Sequence, residues 1–219
     1  GLDYFEKVNK LYPEIHNYEN VVLDDKYFSS CGHMNDMGAK LFTAKVIEDF
    51  FFFFNMHIAF LTPEYPHKKI SHAAGIGTSI KNLAVALVKE KCKVSIIVYG
   101  QNKSLVFEDE GVVIHVLEDR KYRFAKWYLH RKYIENYCNK LIKEQNITIL
   151  EAADWTGITA FMKFKIPLVI RFHGSDTYFC HLEKRKQKLK NFWFEKLALQ
   201  KAKAFIAPTT FAGNLSQKL

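Results

Sequence analysis

The sequence predicts an α/β fold: a doubly wound, mostly parallel, Rossmann-like sheet with helices on both faces, preceded by a short N-terminal strand–helix appendage. Three observations predict it. From Met56 onward, short apolar runs alternate with amphipathic stretches across short connections, the pattern of parallel strands joined by right-handed crossovers. The runs are apolar almost throughout, as strands are when helices cover both sides of the sheet. With 219 residues, 48% of them hydrophobic, the chain can bury one large core.

In order along the chain, residues 1–55 read as a separate piece. They carry a strand at 20–23, a polar turn, and a helix at 38–54 with Leu41, Val46, Phe50 and Phe53 on one side. The second piece, 56–219, opens with a buried strand at 57–62. A helix follows at 79–90, where Ile80, Leu83, Ala84, Leu87 and Val88 make one apolar stripe and Thr78 or Ser79 can cap the start. Strands follow at 93–99, rich in β-branched residues, and at 112–117. A long helix at 124–144 turns Trp127, Tyr128, Ile134, Cys138, Leu141 and Ile142 inward. Then come a strand at 147–151, a short helix at 156–163, a strand at 167–172, a basic aromatic helix at 182–201, a strand at 204–207 and a final helix from 210.

Composition narrows the classes of function. The net charge of +9 reads as a solvated basic surface or as attraction to anionic partners. Its densest cluster, Lys184 to Lys190, has no stacking aromatics within it, so it reads as a helix face toward solvent or anionic lipid and not as a nucleic-acid platform. The four cysteines, Cys31, Cys92, Cys138 and Cys180, are far apart and form no C-x-x-C pair. That argues against a disulfide or zinc framework and for a reducing compartment, hence a cytoplasmic location with peripheral contact at the inner membrane face. No apolar run reaches spanning length, and no secretory leader opens the chain. A start at Gly1 sets the expectation of a fragment.

Three strand ends carry candidate chemistry. After the first strand of the second piece, a loop from Pro63 runs to Gly75-Ile76-Gly77-Thr78 and into a helix, a form that can present free N–H groups to an anion. A dinucleotide fingerprint fails here, because Ile80 stands where its third glycine belongs and Tyr99-Gly100-Gln101 lack the acidic residue after the second strand. A phosphate-binding P-loop fails for want of Gly-Lys-Ser/Thr. At the second strand end, Glu151 and Asp154 can hold sugar hydroxyls and Trp155 can face a sugar ring, although Asp154 serves equally as a helix cap. At the third, Arg171-Phe172-His173-Gly174-Ser175-Asp176 places an imidazole where a doubly wound sheet binds ligands. His67 and His72 share the first loop but show no metal-ligand spacing.

Taken together, Met56–Pro66, Gly75–Thr78, Glu151–Trp155, Arg171–Asp176 and Lys203–Thr209 resemble the N-terminal half of retaining glycosyltransferases of the GT-B fold (group 1, family 4-like). The resemblance implies an acceptor-side Rossmann-like domain over 56–219, with the donor domain absent from this chain. It implies a nucleotide-sugar donor, a glycan or lipid-linked acceptor, no metal and no cofactor. His173 would lie beside the transferred sugar as the catalytic group. Gly75, Ile76, Gly77, Thr78, Glu151, Asp154, Trp155, Arg171, Ser175 and Asp176 would line the substrate site. Ala74 replaces a glycine common in the family, and the E-x7-E spacing of Glu110 and Glu118 falls in the wrong half and is read as chance. The segment around Cys31–Thr43 is similar to the C-terminal end of SGNH-type esterases. His33 would match their catalytic His, but Ser30 stands where its Asp should be, so 1–55 reads as a hydrolase remnant. The expectation is a hexosyltransferase domain with little turnover by itself. A non-catalytic ligand-binding module is the second reading, and an esterase built around His33 the third.

Overall fold

The computed structural model describes residues 23–30, 33–42 and 56–218. The chain divides into two compact units, Gly1–Phe54 and Asn55–Leu219.

In the first unit, a 3-10 turn at Asp25–Tyr27 leads into β1 (Phe28–Ser30), which pairs antiparallel with β2 (His33–Met34). Helix α1 covers 36–42 and starts two residues before the predicted 38, because the Asn35 carboxamide oxygen accepts from the Met37 and Gly38 N–H groups and caps the turn. Residues 20–22 of the predicted strand and 43–54 of the predicted helix lie outside the described residues, and Leu23 is not in a strand.

The second unit is built on a seven-stranded sheet in the order β5-β6-β4-β3-β7-β8-β9. Its strands are β3 (His57–Thr62), β4 (Lys93–Gln101), β5 (Leu105–Asp109), β6 (Val112–Glu118), β7 (Ile149–Ala153), β8 (Leu168–Arg171) and β9 (Ala204–Ile206). All neighbours are parallel except β5 and β6. Helix α2 (Gly75–Lys89) buries Ile80 and Ala84 against one face of the sheet, with Phe60, Val94, Ile96 and Ile114. Helix α3 (Lys126–Gln145) buries Ile134, Cys138 and Leu141 against the other, with Leu61, Ile97, Leu150 and Ile170. The predicted fold class therefore holds. Among the described residues, no helix is long and apolar enough to cross a membrane.

Four local expectations do not hold. Edge strand β5 was not foreseen; Glu110 and Gly111, both at positive φ, turn Leu105–Asp109 back on β6 as a tight hairpin. Helix α2 begins at Gly75 and not at 79. The stretch at 156–163 is a 3-10 turn at Trp155–Gly157 followed by irregular backbone, because Thr156 (φ 53°) and Gly157 (φ 56°) leave the helical region. At Gly157 a Cβ would stand 2.3 Å from the Phe194 carbonyl oxygen, so the turn requires glycine. The helix expected at 182–201 is found only as α5 (Leu189–Leu199), and a separate helix that was not expected, α4 (Asp176–Leu182), precedes it. Between them, Lys184 is left-handed and Arg185 turns back to the Asp176 carboxylate at 2.9 Å. The Lys184–Lys190 cluster is thus mostly a loop and not a helix face. The last helix, α6, spans Thr210–Lys218.

Candidate functional site

Strand β3 lies between β4 and β7, and the chain leaves it toward β4 but returns on the other side at β7. A doubly wound sheet opens its ligand crevice outside the carboxyl ends of the strands at such a switch point. The loops after β3, β7 and β8 all leave the sheet there. Side chains join them as well. The Asp154 carboxylate, after β7, accepts from the backbone N–H groups of His173 (2.9 Å) and Gly174 (3.3 Å), after β8. The Glu64 carboxylate, after β3, accepts from Gly77 N–H at 2.7 Å, and its charge also acts on the His173 imidazole. The three predicted segments thus share one rim.

The glycine segment differs from its predicted form. Ala74 precedes the helix and offers no side-chain cap, Gly75 to Thr78 form the first turn, and the Thr78 hydroxyl donates to the Ala74 carbonyl at 3.0 Å. Gly75 has open space where its Cβ would be, whereas a Cβ on Gly77 would stand 2.9 Å from the Glu64 carbonyl oxygen. Gly77 therefore serves the close approach of the β3 loop, and Ile76 packs into the α2-side core. The loop itself is tethered. Gln101 donates to the Pro63 carbonyl and accepts from Ser71 N–H, and the buried Tyr65 hydroxyl donates to Asp109 at 2.8 Å. His67 packs on Phe107, off the rim, and His72 is exposed.

Several predicted ligand groups are committed to partners within the chain. Glu151 and Arg171, on adjacent strands, form a bidentate pair (2.6 and 3.0 Å) with Glu151 buried. Both Asp154 oxygens receive backbone N–H groups, so Asp154 holds the His173 loop instead of capping the turn after it. Burial raises the Asp154 carboxyl to about 6, against the pull of those two hydrogen bonds. Ser175 caps α4 by accepting from Tyr178 N–H. Burial pushes the Asp176 carboxyl up, but hydrogen bonds from Asn191 and Arg185 outweigh it and hold it below the usual carboxylate range.

His173 and Trp155 are differently placed. The His173 Nε2 is buried and has no hydrogen-bond partner among the described residues. Burial, helped by the Arg171 charge and opposed by Glu64, depresses the imidazole pKa, so the ring is neutral at pH 7. A buried imidazole nitrogen without a partner carries a desolvation cost that a ligand hydroxyl would relieve. The Trp155 ring is 37% exposed and meets Phe179 edge-on.

Sequence reasoning assigned no role to Glu64, Glu195 or Arg131. Glu195, buried on α5, accepts from the N–H groups of Asp176 (2.8 Å) and Thr177 (3.1 Å) and fills the start of α4. Arg131, buried on α3, donates to the carbonyls of Trp127, Thr156 and Gly157 and lies over the Phe194 ring at 4.4 Å, which fixes the turn after Asp154. Neither has a local sequence signature, because the groups that Glu195 holds at the start of α4 and the carbonyls that Arg131 holds after Asp154 lie 18 or more residues away. Beneath the His173 loop lies a cavity of about 280 Å³, lined among others by Asp154, Ile170, Phe172, Thr177 and Glu195. No cluster of three metal-ligating side chains occurs among the described residues. In the first unit, the β1–β2 register sets Ser30 opposite His33.

The sequence model of Glycosyltransferase Family 4 matches residues 73–218, from the glycine turn to the last helix. No curated protein matches the chain. Among solved structures, sucrose-phosphate synthase from Thermosynechococcus elongatus is similar at 13% identity and a TM-score of 0.60, over 75% of this chain and 45% of that one. The catalytic domain of starch synthase IV from Arabidopsis thaliana, bound to ADP and acarbose, matches at 13% identity and a TM-score of 0.42, over 57% of this chain and 35% of that one. This chain thus spans less than half the length of either structure.

Proposed function

Since this chain belongs to Glycosyltransferase Family 4, we propose that residues 56–219 are the acceptor-side domain of an enzyme that transfers a hexose from a nucleotide-sugar to a glycan or lipid-linked acceptor with retention of anomeric configuration. The observation that carries this reading is the neutral His173, its Nε2 buried and unpartnered on the rim at the switch point. Imidazole there can accept from or donate to a sugar hydroxyl according to its tautomer. The loop bearing it is held on both sides, by Asp154 before and by the Glu195-anchored α4 after, so the nitrogen is positioned before any ligand arrives. Trp155, exposed on the neighbouring loop, offers a ring face for the sugar. Glu64 at the start of α2 occupies the Gly77 N–H, a donor that a phosphate would use, which favours a hydroxyl-bearing acceptor against this loop and the diphosphate elsewhere in the enzyme. Contact with donor and with a membrane-borne acceptor at the cytoplasmic face belongs to the same proposal.

The test is release of nucleoside diphosphate by the intact enzyme from a panel of nucleotide-sugars, with and without His173→Ala. The expected loss in kcat/KM is about 10- to 100-fold, the weight of one hydrogen bond in a desolvated site, with an unchanged Tm. Turnover unaffected by the substitution, or no transfer from any nucleotide-sugar, would overturn the reading.

A further inference from the structure

The amino ends of the last two strands carry a sequence pattern that the rim does not use. Lys163-Phe164-Lys165 runs toward the start of β8, and Lys201-Ala202-Lys203 runs directly into β9. In each triplet the middle residue, Phe164 or Ala202, packs on the α3-side core, and the flanking lysines stay exposed. Strands β8 and β9 are parallel neighbours, and the Lys203 N–H donates to the Leu168 carbonyl at 2.8 Å, so the two triplets lie side by side. All four lysines line one cleft of about 560 Å³, together with the apolar Met162, Ile166 and Pro167.

The backbone of this cleft is pinned. The Lys201 ammonium donates to the Met162 carbonyl (3.1 Å), the Lys132 ammonium to the Phe161 carbonyl (2.8 Å) and the Asn139 carboxamide to the Lys163 carbonyl (3.0 Å). Its positive charge is left uncompensated. Glu135 is the carboxylate whose charge reaches Lys201, and Lys132 and the Lys163 N–H already hold it. Lys163, Lys165 and Lys203 have no carboxylate partner among the described residues. Burial, and after it the charges of Lys163 and Lys132, depress the Lys201 ammonium below its usual pKa, which is what crowded cations do to one another.

We propose that this cleft binds a soluble oligophosphate, a chain of two or more phosphoryl groups either free or carried on a nucleoside, at the opposite end of β8 from His173. Phosphoryl oxygens accept from several ammonium groups at once, and the ligand's charge relieves the repulsion among them. The volume is that of a small-molecule site. A lipid surface is the poorer fit, because none of the large apolar side chains exposed to solvent lines the cleft. Single-stranded nucleic acid is poorer too, because the one ring that lines it, Phe164, packs on the core and offers no free face to a base. The site goes beyond the transferase reading and does not depend on it.

The test is isothermal titration of the intact protein, in metal-free buffer at low and at high salt, with tripolyphosphate, with ATP and with orthophosphate. Tripolyphosphate is expected to bind more tightly than orthophosphate and to weaken as salt rises. Lys163→Ala with Lys203→Ala is expected to weaken it about tenfold or more. Neither ammonium group makes a hydrogen bond among the described residues, so the fold does not depend on them, and thermal melts check that each variant folds. Lys103→Ala with Lys121→Ala removes the same charge from the loops at the carboxyl ends of β4 and β6, and is expected to cost about twofold or less. His173→Ala is expected to bind as the wild type does, which separates this cleft from the rim. ATP bound more tightly than tripolyphosphate assigns the cleft to a nucleotide, and ATP bound equally or less tightly assigns it to the phosphate chain alone; both sustain the proposal. No binding of tripolyphosphate, orthophosphate bound as tightly, wild-type affinity in the Lys163–Lys203 variant, an equal loss in the Lys103–Lys121 variant, or a loss in His173→Ala would each overturn it.

Discussion

The turns from β3 to α2 and from β8 to α4 are built on one plan and held with unequal force. In each, a strand ends on the same rim and a helix begins with its unpaired N–H groups toward the crevice, where an anion would bind. In each, a carboxylate of the chain takes those donors. At α2 it is Glu64, half-buried, on the Gly77 N–H alone. At α4 it is Glu195, almost fully buried, on two backbone N–H groups and the Thr177 hydroxyl, with Asp154 holding the loop just before. The comparison teaches that the β8 turn, which carries His173, is the more firmly held of the two and that the β3 turn is the lighter closure.

Substitutions sharpen or break that contrast. The largest effect is expected from Glu195→Ala. It strands buried donors at the start of α4, and loss of about 2–4 kcal/mol in urea unfolding is the expected outcome, with Gln retaining part of it. A loss no greater than that of Glu64→Ala would show the two turns to be equally held. Next comes Gly77→Ala, whose methyl presses the Glu64 carbonyl and forces the β3 loop to move, at about 1–3 kcal/mol, whereas Gly75→Ala meets open space and is expected to stabilise by about 0.5–1 kcal/mol. Thermal melts of the pair give the sign directly, and the same sign for both would contradict the geometry. The smallest effect concerns pH. Asp154 has a folded pKa of about 6 against an unfolded value of 3.8, so the native state binds the extra proton between them. Its contribution to stability is therefore greatest below about pH 4 and diminishes as pH rises through 6. A plot of unfolding free energy against pH is expected to lose that downward component in Asp154→Asn, and an unchanged slope would remove Asp154 from the account.

The strands were the most legible part of the fold. In the second unit His57–Thr62 is found at its predicted limits and the other predicted strands within about two residues, because a short apolar run between turn residues declares a buried strand locally, whereas β1 and β2 of the first unit were not predicted. Strand β5 was missed although Glu110-Gly111 between alternating residues carried a hairpin signal. Helix α3 was legible in extent but not at its start. Trp127 and Tyr128 pack on Phe161 and Phe194 and stay partly exposed, while Arg131 and Glu135 go inward, each held by hydrogen bonds to distant backbone. At the rim, the grouping of the Gly75, Asp154 and His173 segments was readable from strand order. Which of their polar groups are already satisfied was not.

Periodicity, turn residues and apolar runs act over a few neighbours, and so the chain alone determined a doubly wound sheet and the loops that crown it. What only the tertiary structure decided is who fills each donor. Glu151 finds Arg171, Glu195 finds the start of α4, and Asp154 finds the loop that carries His173, across separations of about 20 residues. No local pattern encodes such pairings. They follow from the cost of burying a polar group without a partner, and that cost exists only once the surrounding elements have packed.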